Sequence, residues 1–524
     1  MQVAFMPTIQ ELQAEITALK AQATKRDEDI QKLQKLNDWY AQQLKLNRKK
    51  MFGSSSEKGE YAGMEQLNFF NEAEAERGVL NPEPTVETIT YKRNKKKGSR
   101  EKLLEQLPVE VIEYTLPENE QNCPKCGNAL HVMSKEIRKE LKIVPAKVSV
   151  IEHVSYVYAC RNCDKNDVET PIITASAPKA LIAKSLVSPS VMAYIMNQKF
   201  VNAMPLYRQE QELKRMGVLL SRQTLSNWMI KGSSLLKPLM DTMKAELLKK
   251  DILHADETTL EVLCEPDRPA QTNSYMWVYR TSGCDIPIVL YDYQQGRSGR
   301  FAKKYLQGFK GYLHTDGWGG YHQLQPEVTL CGCWAHARRK FNEALEVCTD
   351  KSSDSPEALG LSYCQKLFNI EKMAEGKLYD ERYDIRQEQS TSVIEEFYAW
   401  IEKQQDKTLP QSLLGKALQY AQNQKKHLLS FLKDGRIELS NNRAERSIKP
   451  FVIGRKNWLF CNTPGGAKSS ALLYSLVETA KENNLNPYEY LNFVFEQIQA
   501  NPAANLSDLL PWSDKIRQSC RIKN

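Results

Sequence analysis

Long apolar runs are missing from this 524-residue chain: no stretch approaches the ~20 residues that a bilayer-spanning helix needs. Cysteine is scarce. Twelve in 524 positions are too few to staple a secreted scaffold, which points to a reducing compartment. The opening residues, MQVAFMPTIQELQAEI, lack a basic segment followed by an apolar one, so no secretory leader is expected and a cytoplasmic protein is. A dominant charge is absent too. Lys plus Arg number 72 against 64 Asp plus Glu, a formal net charge of +8, which permits a nucleic-acid partner without requiring one. What is present, 41% apolar and 26% charged residues at a mean hydropathy of −0.54, describes a soluble chain with ample core material. At ~150 residues per domain, several domains are expected.

Residues 1–58 read as a coiled-coil helix. Heptads counted from Ile9 put Ile9, Ile16, Ala23, Ile30, Asn37 and Leu44 at a, and Leu12, Leu19, Arg26, Leu33, Tyr40 and Asn47 at d. Isoleucine at a with leucine at d favours two parallel strands, and a lone Asn at a fixes register. Residues 8–47 are therefore expected to join protomers into a dimer or higher oligomer. The alternative is an amphipathic helix packed on its own chain, because Arg26 breaks the seam. A linker, 59–105, then changes sign. Residues 60–90 hold seven Glu and one Arg, whereas Lys92, Arg93, Lys95, Lys96, Lys97, Arg100 and Lys102 occupy seven of eleven positions. Lys95, Lys96 and Lys97 are candidate phosphate contacts, acting by counterion release; a merely solvated charge run is the alternative.

Residues 106–172 carry Cys123-Pro-Lys-Cys126 and, after 33 intervening residues, Cys160-Arg-Asn-Cys163. Two such knuckles supply a closed tetrahedral shell of four thiolates, so Zn²⁺ here would be structural rather than catalytic. With strand-like stretches at Lys147–Val150 and His153–Ala159, the module is expected to be zinc-ribbon-like. Free thiols or a redox pair are the alternative. Residues 173–250 look helical. Met216-Gly217-Val218 makes a turn, and Ser221-Arg222-Gln223-Thr224 opens another helix, the pattern of a helix-turn-helix whose second helix could read a major groove through Arg222 and Gln223.

From Ile252 the texture changes to strands: Ile252–Val262, Tyr275–Arg280, Ile286–Tyr293 and Gly311–Thr315, with a helical pattern at Phe301, Tyr305, Leu306 and Phe309 before the fourth. That order describes the first half of a ribonuclease-H-like sheet within a multidomain α+β chain. Asp256 falls in the first strand and Asp316 ends the fourth, so adjacent strands would bring both to one sheet edge. The third acid we select is Glu445, in Asn441-Asn-Arg-Ala-Glu-Arg-Ser-Ile-Lys449, where Asn442, Glu445, Arg446 and Lys449 share a helical face. Singly, each has a bland explanation: Asn442-x-x-Glu445 is also a capping box, and Asp316-Gly317 an ordinary turn. Three carboxylates without His or Cys suit Mg²⁺ or Mn²⁺, and two such ions suit in-line displacement at phosphorus.

These residues resemble the insertion-sequence-66 family of bacterial DDE transposases over almost the whole chain. The resemblance is carried by Phe52-Gly-Ser-Ser-Ser-Glu57, the Cys-Pro-x-Cys-Gly module at 123–127, Pro205-Leu-Tyr-Arg208, Ala255-Asp-Glu-Thr258 and Thr315-Asp-Gly317. More specific still are Gly332-Cys-Trp-Ala-His-Ala-Arg-Arg-Lys-Phe341, Asn441-Asn-Arg-Ala-Glu-Arg446, Gly454-Arg-Lys-Asn-Trp-Leu-Phe460, Gly465-Gly-Ala467 and Ser475-Leu-Val-Glu-Thr-Ala-Lys481. It implies Asp256, Asp316 and Glu445 as the catalytic triad, double-stranded DNA as partner, and two small accessory proteins from the same element. The basic linker lacks the family's more usual Arg-Gly-Arg.

The core is expected at 251–345 and 436–500, interrupted by a helical insertion at 346–435 that begins near Ser355-Pro356-Glu357, and followed by a tail at 501–524. Cys331, Cys333 and His336 suggest a metal cluster, but a strand running into a helix would place Cys333 and His336 near the core without a fourth ligand. Arg338, Arg339, Arg455 and Lys456 are better read as phosphate contacts, as are Arg446 and Lys449 beside the glutamate, since an Arg fork matches phosphate geometry. Trp458 fits a core position better than a base-stacking one. The expected protein is a nucleoid-associated transposase. A structure-selective nuclease on the same fold and an inactive DNA-binding regulator are the rivals.

Overall fold

The computed structural model describes residues 9–52, 146–159, 172–348, 351–501 and 504–522. Cys123, Cys126, Cys160, Cys163 and Lys95–Lys97 lie outside them. The chain forms two compact units, one of residues 1–60, 179–211 and 220–521, the other of 61–178, 212–219 and 522–524. Among the described residues, no helix is long and apolar enough to cross a membrane.

Helix α1 runs over Ile9–Phe52 without a break. Its seam residues Ile16, Leu19, Ile30, Leu33, Tyr40 and Leu44 are exposed, so they are not buried on their own chain. In the second unit, β1 (Val157–Ala159) pairs antiparallel with β2 (Ile172–Thr174). The expected strand at Lys147–Val150 is absent, and of His153–Ala159 only the last three residues form one. β-Branched composition suits a pleated, half-buried surface, and here Val150 and Ile151 are 88% and 67% exposed.

After α1, the larger unit continues with α2 (Pro189–Phe200) and the start of α3 (Leu206–Arg215), and resumes with α4 (Arg222–Leu235) and α5 (Lys237–Leu248). The expected turn lies between α3 and α4, with Gly217 at φ +86°, and Ser221 caps α4 by accepting from the Thr224 N–H. Strands β3 (Ile252–Glu261), β4 (Asn273–Thr281) and β5 (Val289–Gln294) form an antiparallel meander. Helix α6 (Gly299–Tyr305) then crosses to β6 (Gly311–His314), which lies parallel to β3, and β7 (Val328–Cys331) lies parallel to β6. The sheet order is β5-β4-β3-β6-β7, which puts β3 in the centre with β6 as its parallel neighbour.

Helix α7 (Trp334–Val347) leads into the expected helical insertion: α8 (Pro356–Met373, N-capped by Ser355), α9 (Tyr379–Ile385), a π-turn at Arg386–Ser390, α10 (Thr391–Gln405), α11 (Leu413–Asn423) and α12 (Lys425–Leu428). Trp334 and Phe341 of α7 pack with Phe397 of α10 and Leu418 of α11, so the insertion shares one core with the helix that follows the sheet. The chain closes with α13 (Asn442–Trp458), α14 (Pro464–Glu482), α15 (Pro487–Ala500) and α16 (Asp514–Cys520). Helix α14 is buried from Ala467 through Ala480 except Lys468. Its Ser475 Oγ accepts from the Tyr291 N–H at 2.7 Å. Thr479 Oγ1 accepts from the Val289 N–H at 3.0 Å, so side chains satisfy the otherwise open edge of β5.

Candidate active site

His254 of β3 pairs with His314 of β6 in parallel register, so Asp256 and Asp316, each two residues further on, leave adjacent strands at the same level and on the same face. Burial pushes the Asp256 carboxyl well above its ordinary value of 3.8. The charges of Glu257, Asp316 and Glu445 push it the same way, against one N–H bond donated to Oδ1 by Glu257 at 2.8 Å. Asp316 is oriented by a tight turn. Its Oδ1 accepts the Trp318 N–H at 2.9 Å while Gly317 adopts φ +91°, a conformation open to glycine at little cost. The ordinary strand-ending turn is therefore real, and it leaves Asp316 Oδ2 facing the Arg297 guanidinium at 3.6 Å.

Glu445 stands in the first turn of α13, whose N-cap is Asn441 rather than Asn442, so the capping-box explanation does not hold. Its Oε2 accepts from Arg339 Nη2 at 3.4 Å. Its Oε1 lies 3.7 Å from His336 Nε2, is buried, and accepts no hydrogen bond. Asn441, fully buried, ties this helix to the strand of the first acid. Its Nδ2 donates to the Ala255 carbonyl at 2.9 Å, its Oδ1 meets His254 Nδ1 at 2.9 Å, and its N–H donates to Cys333 Sγ at 3.1 Å. His254 and His314 stack at 5.0 Å beneath the acids, and burial lowers their pKa to about 4 and about 3, leaving both neutral.

This donor set fits a divalent cation. Asp256 has its proton affinity raised by burial and by the charges of Glu257, Asp316 and Glu445, and Glu445 keeps an orphaned buried oxygen, but the ligand atoms of the three acids do not all lie within 4.8 Å of one another. A cation relieves both conditions. The Cys–His cluster is not the one the sequence suggested: the ligand atoms that lie within 4.8 Å of one another belong to Cys333, His336 and Glu445, and Cys331 takes no part. Burial lowers the His336 pKa against the pull of Glu445, and pushes the Cys333 thiol up to about 12.

The other candidates divide. Arg222 and Gln223 are exposed at the start of α4, although Gln223 Nε2 also donates to Asn227 Oδ1 at 3.3 Å. Arg446, Lys449 and Lys456 are exposed on α13. Arg339 reaches Glu445, whereas Arg338 lies 5.4 Å over the Phe368 ring of α8. Arg455 is committed to the fold: its Nη1 donates to the Thr259 carbonyl and to the Thr258 and Thr259 hydroxyls, fastening α13 to β3. Trp458 is half-buried, 6.2 Å from Tyr474, with Lys199 over it at 5.5 Å.

Sequence reasoning missed a flank of the site. Glu257, with its side chain 1% exposed, accepts from Tyr321 Oη at 2.5 Å and Arg297 Nε at 2.7 Å, and Arg297 covers the Trp318 ring at 4.7 Å. The signal available was adjacency alone, Glu257 beside Asp256 and Trp318 beside Asp316. Tyr420 of the insertion, which donates to the Asp316 carbonyl at 3.0 Å, carried none.

Comparison with known proteins bears on the whole chain. The model described as "Transposase IS66 family" matches residues 184–469, that of the "zinc-finger binding domain of transposase IS66" residues 120–164, and the "IS66 C-terminal element" residues 475–512. "Transposase C of IS166 homeodomain" matches residues 39–112. The zinc-finger match includes all four of the Cys-x-x-Cys cysteines. Among relatives in Sinorhizobium fredii (strain NBRC 101917 / NGR234), "Uncharacterized protein y4qI" is 30% identical over 523 residues, covering 96% of this chain and 92% of its own. "Uncharacterized protein y4jD" is 32% identical over 412 residues, covering 76% and 78%. With a matching family model over more than half its length and a relative aligned nearly end to end, this chain belongs to the IS66 family of transposases.

Proposed function

We propose that the protein is a DDE transposase that binds the ends of its own insertion sequence, cuts DNA to expose 3′-hydroxyls, and joins them to target DNA. The observation that supports this reading is the parallel register of β3 and β6, from whose ends Asp256 and Asp316 follow two residues after the paired His254 and His314. The same strand order supports assignment of the core to the ribonuclease-H-like class. Asp256, Asp316 and Glu445 would hold two Mg²⁺ or Mn²⁺ ions. Such ions, when bound, activate the attacking oxygen and stabilise the departing one in an in-line displacement at phosphorus.

The chain's own residues do the rest. Asn441 and the neutral His254–His314 stack tie α13, which carries Glu445, to the strand of Asp256, because any shift of α13 would break bonds to β3 and to Cys333. Arg297 and Arg339, which pair with Asp316 and Glu445, present guanidinium forks at the rim where a scissile phosphate enters. Cut and joining are alike at phosphorus, so one site serves both, with water as nucleophile in the first and a 3′-hydroxyl in the second. Cys123, Cys126, Cys160 and Cys163 would hold a structural Zn²⁺. Arg222 and Gln223, with the basic linker, would read the terminal repeats. Pairing two ends requires two protomers, and the exposed seam of α1 supplies a means. The family's accessory proteins and the nucleoid are the proposed surroundings.

The test is an assay with pre-cut element ends, a plasmid target and Mg²⁺ or Mn²⁺. Joined products are expected, and nicked products alone would establish the nuclease reading instead. Ala at Asp256, Asp316 or Glu445 should abolish cutting and joining while end binding is retained. Equal loss of binding would make those positions structural.

A further inference from the structure

We infer that His336 is a further ligand of the catalytic cation, sharing it with Glu445 through Nε2. The inference rests on the proposed role of the acid cluster and deepens it, because it changes the donor set from oxygen alone to oxygen plus one imidazole nitrogen. Two donors on one ion, each about 2.1 Å from it, lie roughly 3.0 Å apart at right angles and about 4.2 Å apart when opposite. His336 Nε2 and Glu445 Oε1 are separated by 3.7 Å, inside that interval and beyond hydrogen-bond reach. Glu445 Oε1 is buried without a hydrogen bond, although its sister oxygen is held by Arg339. The atom facing the imidazole is thus the one the protein leaves unsatisfied.

The surroundings favour this geometry. His336 lies in the first turn of α7, and the backbone N–H of Asn441 donates to Cys333 Sγ at the N-cap of the same helix, so one contact fixes α7 against α13. Cys333 Sγ sits within the cluster, but it already accepts that N–H; it orients the ligands. The charges of Glu445 and Asp316 both act on His336 in the direction that draws a cation toward it. A mixed carboxylate–imidazole set suits Mn²⁺, which accepts a nitrogen ligand among oxygens, better than Mg²⁺, which takes oxygen almost exclusively.

The experiment uses the full-length protein and Mn²⁺ alone. Pulsed electron paramagnetic resonance should show a nitrogen-14 coupling to bound Mn²⁺ in the wild type. His336→Ala should lose that coupling and bind Mn²⁺ on the order of tenfold or more weakly. His336→Asn, closer in shape, guards against misfolding, and thermal melting with end-DNA binding should stay near wild type in both. A wild-type spectrum without nitrogen coupling, or a coupling that survives in both His336 variants, overturns the inference. In that case loss of Mn²⁺ binding in Glu445→Gln and Asp256→Asn would still uphold the acid cluster. Unchanged Mn²⁺ binding in all four variants overturns both.

Discussion

Two of the buried charge clusters among the described residues are built on opposite principles. In the insertion, Arg386 is fully buried and all five of its N–H groups are used. Nε and Nη2 donate to the two oxygens of Glu371 at 2.7 and 2.9 Å. Nη1 donates to the Phe431 and Asp434 carbonyls at 2.7 and 2.9 Å, and Nη2 also to that of Ile437 at 2.7 Å. Arg382 adds two further donors to Glu371. At the sheet end the reverse holds: burial, then the charges of neighbouring acids, disfavours the Asp256 carboxylate, and Glu445 keeps an orphaned oxygen. A satisfied cluster specifies a fold, pinning α8, the π-turn and the loop before α13 together. An unsatisfied one keeps its binding capacity for something the chain does not itself contain.

The largest expected effect separates the two directly. Arg386→Met should destabilise the protein by about 3–5 kcal/mol, because Glu371 is left as a buried charge without its main partner. Asp256→Asn removes a charge that its surroundings disfavour, so without added metal it should melt no lower than wild type. Thermal denaturation of both variants checks the pair. Equal losses would mean that the acid cluster is structural after all.

Acid titration sharpens the contrast. Burial raises the Glu371 pKa, but bonds and charge from Arg386 and Arg382 more than offset this, so the folded value lies below the ordinary 4.5. The pair's stabilisation is therefore complete above about 4.5 and fades as pH falls through the lowered folded value. Glu371→Gln should be less stable at neutral pH and show a shallower loss between about pH 5 and 3. Equilibrium urea unfolding across that range measures both. A parallel acid limb in the variant would show that Glu371 does not set it.

Much of this was legible in the sequence because the relevant signals are local. The β-branched runs at 252–262 and 275–280 mark strands whichever partner they find, and Asp256 and Glu445 stand in segments whose pattern fixes their element. Ser355 announces its helix because a hydroxyl before Pro-Glu can satisfy an open N–H. What stayed hidden depends on contacts distant in sequence. Arg455 looks like a phosphate binder until Thr258 and Thr259, nearly two hundred residues earlier, claim it. Arg386 looks like any surface arginine in a charged helix. His336 has no further ligand near it in sequence because its partner, Glu445, lies far along the chain, beyond the whole insertion. Lys147–Val150 failed for the converse reason: local composition promised a strand that none of the described residues pairs with.

The insertion and the acid cluster also touch, which gives the smallest and most discriminating prediction. Tyr420 Oη donates to the Asp316 carbonyl at 3.0 Å, and Gln424 Nε2 donates to the Gly317 carbonyl at 3.1 Å, so α11 and the residue just after it grip the turn that aims the second aspartate. Tyr420→Phe removes one neutral hydrogen bond, a change of about 0.5–1.5 kcal/mol, while its ring still packs where it did. Melting should therefore shift little. If the insertion merely covers the core, strand joining with pre-cut ends should fall no further than that loss in stability explains. If α11 holds Asp316 in its working direction, joining should fall several-fold at saturating metal with end binding unchanged, and Gln424→Ala should reproduce the defect from the next carbonyl along. The second result is the one expected, because both bonds end on the backbone of the turn rather than on any side chain that could move aside.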